Sequence, residues 1–311
     1  MQPRVPSTDP VTPRTAGEMV KLAREFLQKK GLDEARLEAE LLVAHALDLD
    51  RLKLFLQHDR PLREEEIVRA RELLVRRGKR EPTAYLTGKR EFYGRTFLVG
   101  PGALIPRPET ELLVDRAREI ARGRAASDAP LARAADFGTG SGCLGITLAL
   151  EIEDLSVFAV DASNEALAWA RRNAEALAAT RVEFGHGDGY ALLAQHARAQ
   201  GAFDLVVANP PYVGRDESAD LAPEVRDHEP ASALFAPEGD PDHHLVRLLD
   251  LTPSVLARSG TLLVELGHKQ GTRAKPLAEA RGLEARLHRD YGGIERVLEV
   301  RSSEPRDRPT G

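Results

Sequence analysis

Apolar positions recur at helical spacing through the first part of the chain. Val20, Leu22, Ala23, Phe26 and Leu27 follow Thr15-Ala16-Gly17-Glu18, where Thr and Glu have capping-box spacing, and Gly31 supplies a stop. Similar amphipathic patterns run from Asp33 to Leu47 and from Leu62 to Val75, and Leu52, Leu54, Phe55 and Leu56 suggest a short helical piece before the break at Pro61. Residues 15 to 85 therefore read as a small helical bundle. Between Glu81 and Gly102 the aromatics Tyr85, Phe92, Tyr93 and Phe97 alternate with Gly88, Gly94, Gly100 and Gly102, a texture suited to turns or a hairpin between two domains. From residue 109 onward helical stretches alternate with short apolar runs: Glu109 to Arg122, Ala132 to Phe137, Leu144 to Leu150, Val157 to Val160, Glu165 to Leu177, Val182 to Phe184, Leu205 to Ala208 and Thr261 to Leu266. Such alternation predicts βαβ units and a mostly parallel sheet covered on both faces. Leu283 to Leu287 and Arg296 to Val300 flank Gly292-Gly293 and predict a terminal antiparallel hairpin. The predicted organisation is a flexible tail over 1–14, a helical domain over 15–85, a hinge over 86–108, an α/β domain over 109–302 and a second tail over 303–311.

Composition narrows the class. With 311 residues, a net charge of −5, 42% hydrophobic and 30% charged residues, the chain fits a soluble globular protein and excludes disorder throughout. No apolar run approaches the roughly 18 to 20 residues that a membrane span requires. The amino terminus lacks the apolar core of a secretory signal, so a cytoplasmic protein with no membrane partner is expected. The single cysteine, Cys143, forms no internal disulfide and offers no zinc-ligand spacing. The acidic balance argues against nucleic acid as the main partner, because neutralising phosphates takes clustered Lys and Arg.

Two motifs carry chemistry. Asp136-Phe137-Gly138-Thr139-Gly140-Ser141-Gly142 places a Gly-rich turn between a candidate strand and a helix, where backbone can approach a nucleotide-like ligand. Asp161 lies at the end of the next strand, positioned for ribose hydroxyls. Either feature alone fits a structural turn or a helix cap; their joint spacing points to ligand binding. Gly140-Ser141-Gly142-Cys143-Leu144-Gly145 also satisfies the dinucleotide pattern, so the loop by itself does not separate NAD from S-adenosylmethionine. The entering strand is weak on propensity, since Leu131-Ala132-Arg133-Ala134-Ala135 carries an Arg and several Ala.

The second motif, Asn209-Pro210-Pro211-Tyr212, follows the apolar run Phe203 to Ala208 at the strand end where open α/β sheets bind ligands. Two prolines stiffen the backbone and remove two N–H donors, which leaves the Pro210 carbonyl held and unpaired. The Asn209 side chain adds a second carbonyl acceptor. Two rigid acceptors suit the two hydrogens of a planar –NH2 group, and Tyr212 offers an aromatic face for its plane. An Asn-Pro pair alone is more often a strand terminator; the upstream Gly loop and Asp161 shift the balance to a site.

These residues together resemble the class I S-adenosylmethionine-dependent amino methyltransferases. Tyr85-Leu-Thr-Gly88-Lys-Arg-Glu-Phe92-Tyr93-Gly94 and Leu104-Ile105-Pro106-Arg107-Pro108-Glu109-Thr110-Glu111 are similar to the release-factor glutamine methyltransferase family over residues 15 to 300. The resemblance implies a Rossmann-like domain preceded by a substrate-docking helical bundle, with the Gly-Gly-Gln glutamine of class-1 peptide release factors as acceptor. It further implies that Gly138, Thr139, Gly140, Ser141, Gly142 and Asp161 hold S-adenosylmethionine, while Asn209, Pro210, Pro211 and Tyr212 hold the glutamine, Asn209 bordering the cofactor as well. The family has an aromatic residue beside the adenine where this chain carries Gly189; Asp188 is assigned to the adenine amine and Tyr190 is the candidate replacement surface. His228-Glu229-Pro230 and Ala233-Leu234-Phe235 match the family loosely, whereas Glu238 to His244 depart from it. The alternatives are a glutamine methyltransferase of a large-subunit ribosomal protein, an adenine amino methyltransferase acting on nucleic acid, and a non-catalytic NAD-binding protein.

Other clusters have plainer readings. Asp240, Asp242, His243 and His244 are read as a solvated loop, since methyl transfer from a sulfonium needs no metal. Arg76, Arg77, Lys79 and Arg80 match the macrodipole at a helix carboxyl end. Arg107 and Glu109 fit a cofactor-covering loop and a helix cap equally well, while Glu265 and Gly267 are expected to shape the pocket floor. A monomer needing no nucleic acid is expected.

Overall fold

The computed structural model describes residues 13–126 and 129–302, and the two expected tails therefore lie almost wholly outside the described residues. The chain forms two units, residues 1–88 and 89–311.

The first unit is helical: α1 (Ala16–Lys29), α2 (Ala35–Ala46), α3 (Arg51–Leu56), α4 (Glu64–Gly78) and α5 (Thr83–Thr87). Thr15 caps α1 by accepting the Glu18 N–H at 3.2 Å, and Asp50 caps α3 by accepting from Lys53 at 2.7 Å. Such caps contribute about 1 kcal/mol each. The core is Met19, Ala23 and Leu27 of α1 against Ala39, Leu42 and Val43 of α2 and Ile67, Ala70 and Leu74 of α4. The three arginines of the basic cluster are engaged inside this unit. Arg77 is buried against Glu38 at 2.7 Å, Arg76 pairs with Glu81, and Arg80 donates to the Lys30 and Gly31 carbonyls. On α3 only Leu54 is buried, while Leu52, Phe55 and Leu56 stand exposed.

The second unit begins with the hairpin β1 (Lys89–Phe92) and β2 (Arg95–Leu98), turning through Tyr93 and Gly94, both at positive φ. A seven-stranded sheet follows: β3 (Arg133–Phe137), β4 (Ser156–Asp161), β5 (Val182–His186), β6 (Phe203–Ala208), β7 (Leu256–Glu265), β8 (Leu283–Arg289) and β9 (Glu295–Ser302). Its order is β5-β4-β3-β6-β7-β9-β8; the first five strands run parallel, and β9 pairs antiparallel with both β7 and β8. The mostly parallel sheet expected from the alternation, the terminal hairpin expected around Gly292-Gly293 and the Rossmann-like layout implied by the resemblance are present.

Helices α6 (Glu111–Ala125) and α7 (Cys143–Glu151) contribute Leu113, Val114, Ile146 and Leu148 to one face of the sheet, and α8 (Asn164–Ala176) packs Ala174 against them. On the other, α9 (Gly189–Gln200), α12 (His243–Val255) and α13 (Gly271–Glu279) bring Leu193, Leu245, Leu249 and Ala278. Two short helices, α10 (Pro223–His228) and α11 (Ala231–Leu234), lie between β6 and α12 in sequence. Leu205 and Val207 pack into the first face and Val206 and Ala208 into the second, the period of two expected of a strand buried on both sides.

Several limits differ from the sequence reading. The Glu109 helix begins with a 3-10 turn over Pro108–Thr110 and reaches Ala125. Strand β7 starts at Leu256, five residues before Thr261. The alanine-rich β3 is central despite its propensity, because α7 packs closely on it. A Cβ on Gly145 would lie 2.9 Å from Asp136 Oδ2 and 3.3 Å from Val157, so small residues are what this interface accepts. No described helix is long and apolar enough to cross a membrane.

Candidate active site

Strand register assembles the site. Phe137 pairs with Val160 on one side and Ala208 on the other, and Ala208 pairs with Val264. The next residue of each parallel strand, Gly138, Asp161, Asn209 and Glu265, therefore stands in one row along the carboxyl edge. The chain order reverses between β3 and β6, the crevice where open α/β sheets take ligands.

The Gly loop is built by backbone. Gly138 and Thr139 donate N–H bonds to the Val160 carbonyl at 2.9 and 3.0 Å, and Gly138, Gly140 and Gly142 all have positive φ. Asp161 latches the loop by accepting Gly140 N–H and Ser163 N–H, each at 2.8 Å. Burial raises its carboxyl above the ordinary aspartate range, against these hydrogen bonds. Asp136 is fully enclosed. Burial lifts it to about 6, while the Thr139 hydroxyl at 2.6 Å and Gly145 N–H at 2.9 Å oppose the rise.

A cavity of about 260 Å³ opens over the loop, lined by Gly138, Gly140, Asp161, Gly189, Asn209 and Pro211 together with Phe137, Val160, Leu104 and His244. A smaller one of about 40 Å³ adjoins it and is bordered by Thr139, Ser141, Thr110 and Arg107; Asn209 lines both. A Cβ built on Gly138 or Gly140 meets no atom within 4 Å, so these positions leave room for a ligand against the backbone. At Gly189 the reverse holds. A Cβ there would sit 2.7 Å from the Phe137 ring, which fills the space a side chain at 189 would need.

The remaining predicted residues fall as follows. Asp188 caps α9, accepting the Tyr190 N–H at 2.9 Å, and is absent from the cavity lining, as is Tyr190. The Tyr190 ring packs on Phe137 with centroids 4.7 Å apart, and its hydroxyl meets His244 Nδ1 at 2.6 Å. Burial, with His243 and Arg247 nearby, lowers His244 to about 4, which keeps it neutral. Asn209 donates from Nδ2 to Thr110 Oγ1 at 3.0 Å, and Thr110 donates to buried Glu265 at 2.6 Å. Among the described residues nothing donates to Asn209 Oδ1 or to the Pro210 carbonyl. Tyr212 lies against Gly267, where a Cβ would come within 2.9 Å of its ring.

Thr110, Phe137, His244 and Glu229 are given no part in the site by the motifs, and Glu265, expected only to shape the pocket floor, also accepts from Thr110. Glu229 accepts from Ile105 N–H at 3.0 Å and from Arg107 at 2.6 Å, joining the Pro-Arg-Pro run to the loop after α10. Only the His-Glu-Pro match hinted at it. The Asp240 to His244 stretch is not a wholly solvated loop: His243 and His244 open α12, Asp242 accepts from Arg273 and Gln270, and the described residues hold no group of three or more potential metal ligands.

The sheet order, the Gly loop over a cavity and Asp161 on the neighbouring strand define a class I methyltransferase, the class whose methyl donor is S-adenosylmethionine. Family models described as PrmC N-terminal domain and methyltransferase small domain match residues 18–88 and 120–229. A release factor glutamine methyltransferase of Chlorobaculum tepidum is 40% identical over 285 residues, 90% of this chain and 95% of that protein. One from Bacillus subtilis is 38% identical over 287 residues, 92% and 97% of the two chains. The human METTL16 catalytic domain in complex with a 3′UTR hairpin aligns with a TM-score of 0.53 at 16% identity over 79% of this chain and 85% of that one, a likeness of fold alone. The chain belongs to the release factor glutamine methyltransferase family.

Proposed function

We propose that this protein transfers the methyl group of S-adenosylmethionine to the side-chain amide nitrogen of the Gly-Gly-Gln glutamine of class-1 peptide release factors. The observation that carries the chemistry is Asn209 Oδ1, to which no described residue donates, on a residue that lines the glycine-floored cavity; the Pro210 carbonyl, likewise without a donor among the described residues, follows it in the chain, while Pro210 itself is buried and outside that lining. The relatives' names support the substrate.

The donor fits the residues present: Gly138 and Gly140 leave space for it, Asp161 lines the cavity with a carboxylate that would accept ribose hydroxyls, and Phe137, Val160 and His244 offer a largely apolar wall for adenine. When bound, it supplies an electrophilic methyl carbon on a sulfonium. Asn209 and Pro210 accept the two amide hydrogens and turn the nitrogen lone pair toward that carbon. Alignment of this kind contributes about 7 to 11 kcal/mol of barrier lowering in well-oriented systems. Tyr212, whose phenol burial keeps protonated, and Pro211 frame the amide plane. The proton released leaves to water. The helical unit docks the release factor, a reading supported by exposed Leu52, Phe55 and Leu56. The enzyme acts as a cytoplasmic monomer, and its net charge of −5 favours a protein substrate over nucleic acid.

Labelled S-adenosylmethionine offered with a release factor, its loop Gln→Ala variant, a large-subunit ribosomal protein and duplex DNA tests this directly, followed by peptide mass mapping. Label confined to the loop glutamine is expected. Label on DNA or the ribosomal protein instead overturns the substrate assignment.

The adenine wall makes a separate prediction. Gly189→Phe forces the Phe137 ring aside, an overpacking worth about 1–3 kcal/mol, so S-adenosylhomocysteine affinity falls roughly tenfold to a hundredfold by calorimetric titration. Adding Phe137→Leu reopens the space and restores most of it. Equal affinities in wild type and Gly189→Phe contradict the assignment of this wall to the cofactor.

A further inference from the structure

We propose that Thr110 and Glu265 are positioning residues that set which end of the Asn209 carboxamide faces the substrate. This rests on the functional reading above, in which Asn209 must offer an acceptor to the glutamine –NH2.

A carboxamide is nearly symmetric in shape and opposite in polarity at its two ends, so packing alone does not choose between its orientations. Hydrogen bonding does. Thr110 and Glu265 are each about 2% exposed, which leaves the protein groups to satisfy one another. The Thr110 hydroxyl has one proton, and Glu265 Oε2 at 2.6 Å takes it when the carboxylate is ionised. Only lone pairs of Oγ1 then face Asn209, so the amide must present Nδ2, as it does at 3.0 Å. Oδ1 is left open to the cavity. The reverse orientation would press two acceptors together without water to separate them, a cost charged to the wrong state. The same carboxylate also receives the Tyr212 hydroxyl at 3.4 Å, so one buried Glu ties both ends of the Asn-Pro-Pro-Tyr segment.

The relay depends on the charge of Glu265. Burial pushes its carboxyl up to about 7, the Thr110 and Tyr212 hydroxyls and Arg296 favour the ionised form, and Glu109 opposes it. Cys143 and Tyr212, the other titratable groups facing it, stay neutral because burial raises both. Once protonated, Glu265 donates to Thr110, whose own proton then turns to Asn209 and favours Nδ2 toward the substrate, donor against donor. Turnover therefore falls as pH drops below about 7.

The test uses the full chain with a release factor, comparing wild type, Thr110→Val, Thr110→Ser and Glu265→Gln in turnover, KM, S-adenosylhomocysteine affinity and melting temperature. Thr110→Val is expected to lower kcat by roughly a hundredfold with cofactor affinity retained, whereas Thr110→Ser keeps most activity. Glu265→Gln, which offers a donor where the carboxylate only accepts, is expected to be slow and to lose the acidic limb of the pH profile. Thr110→Val with wild-type kcat, or Glu265→Gln with the acidic limb intact, overturns the proposal. A wild-type chain that methylates no glutamine removes the functional reading and this inference with it; a wild type that does, beside an equally fast Thr110→Val, removes the inference alone.

Discussion

Asn209→Ala reduces the turnover number for glutamine methylation by about a hundredfold or more, while S-adenosylhomocysteine binding weakens far less. An amide nitrogen is a poor nucleophile because its lone pair is conjugated into the carbonyl, and the protein compensates by geometry. In the proposed clamp Asn209 Oδ1 is one of two acceptors that orient the –NH2, and alanine would leave only the Pro210 carbonyl, about which the amide could pivot. Misplacement on the order of 1 Å costs roughly a hundredfold in well-aligned sites, near 3 kcal/mol. The cavity proposed for the cofactor keeps Gly138, Gly140 and Asp161 in its lining, so little loss of donor affinity is expected. Single-turnover rates at saturating donor separate the two effects. An Asn209→Ala enzyme that turns over at the wild-type rate means the acceptor clamp is wrong.

The second large effect concerns the helical unit. Glu66 is fully buried at the start of α4, and its carboxylate accepts from Arg60 at 2.7 Å, from the Arg63 side chain at 2.9 Å and from the Arg63 N–H at 2.9 Å. Burial alone would raise its pKa; the two guanidiniums and the N–H overcome this and hold it near 2. Glu66→Ala removes a helix cap and the anion that Arg60 and Arg63 share, and breaking a buried pair costs about 3–5 kcal/mol. Both arginines keep partial access to water, which places the expected loss near the lower figure. Because the folded pKa is depressed from 4.5, the unfolded chain binds more protons between the two values. The Glu66 contribution is thus complete above about pH 4.5 and is lost as pH falls toward 2. Thermal unfolding of Glu66→Gln should show a shallower dependence on pH than wild type in that window; parallel curves would argue against the pairing.

Much of the chemistry was legible because it is local. The Gly loop, Asp161 and Asn209 to Tyr212 each sit immediately after an apolar run, and a parallel sheet delivers strand ends to one edge whatever the loops between them do. The aromatic expected near Gly189 illustrates the limit. Tyr190 was the candidate by proximity in sequence, yet Phe137 and His244 line the cavity, because one leaves β3 and the other opens α12. Strand β3 was hard to read for a related reason: its alanines are selected by the close approach of α7, which no propensity records.

The helical first unit, the alternating α/β second unit, the Gly loop after a strand and the Asn209 to Tyr212 segment at a strand end could all be read from the chain alone, since each follows from periodicity or from residues adjacent in sequence. Only the tertiary structure decided how that tetrapeptide is held. Thr110 and Glu265 are 155 positions apart, Arg107 and Glu229 are 122 apart, and Asn209 and Thr110 are 99 apart. Their meeting depends on the order β3-β6-β7 and on the 3-10 turn Pro108–Thr110 that leads into α6. A hydrogen bond between such residues leaves no period or spacing in one sequence, because its partners are neighbours only after the sheet has formed.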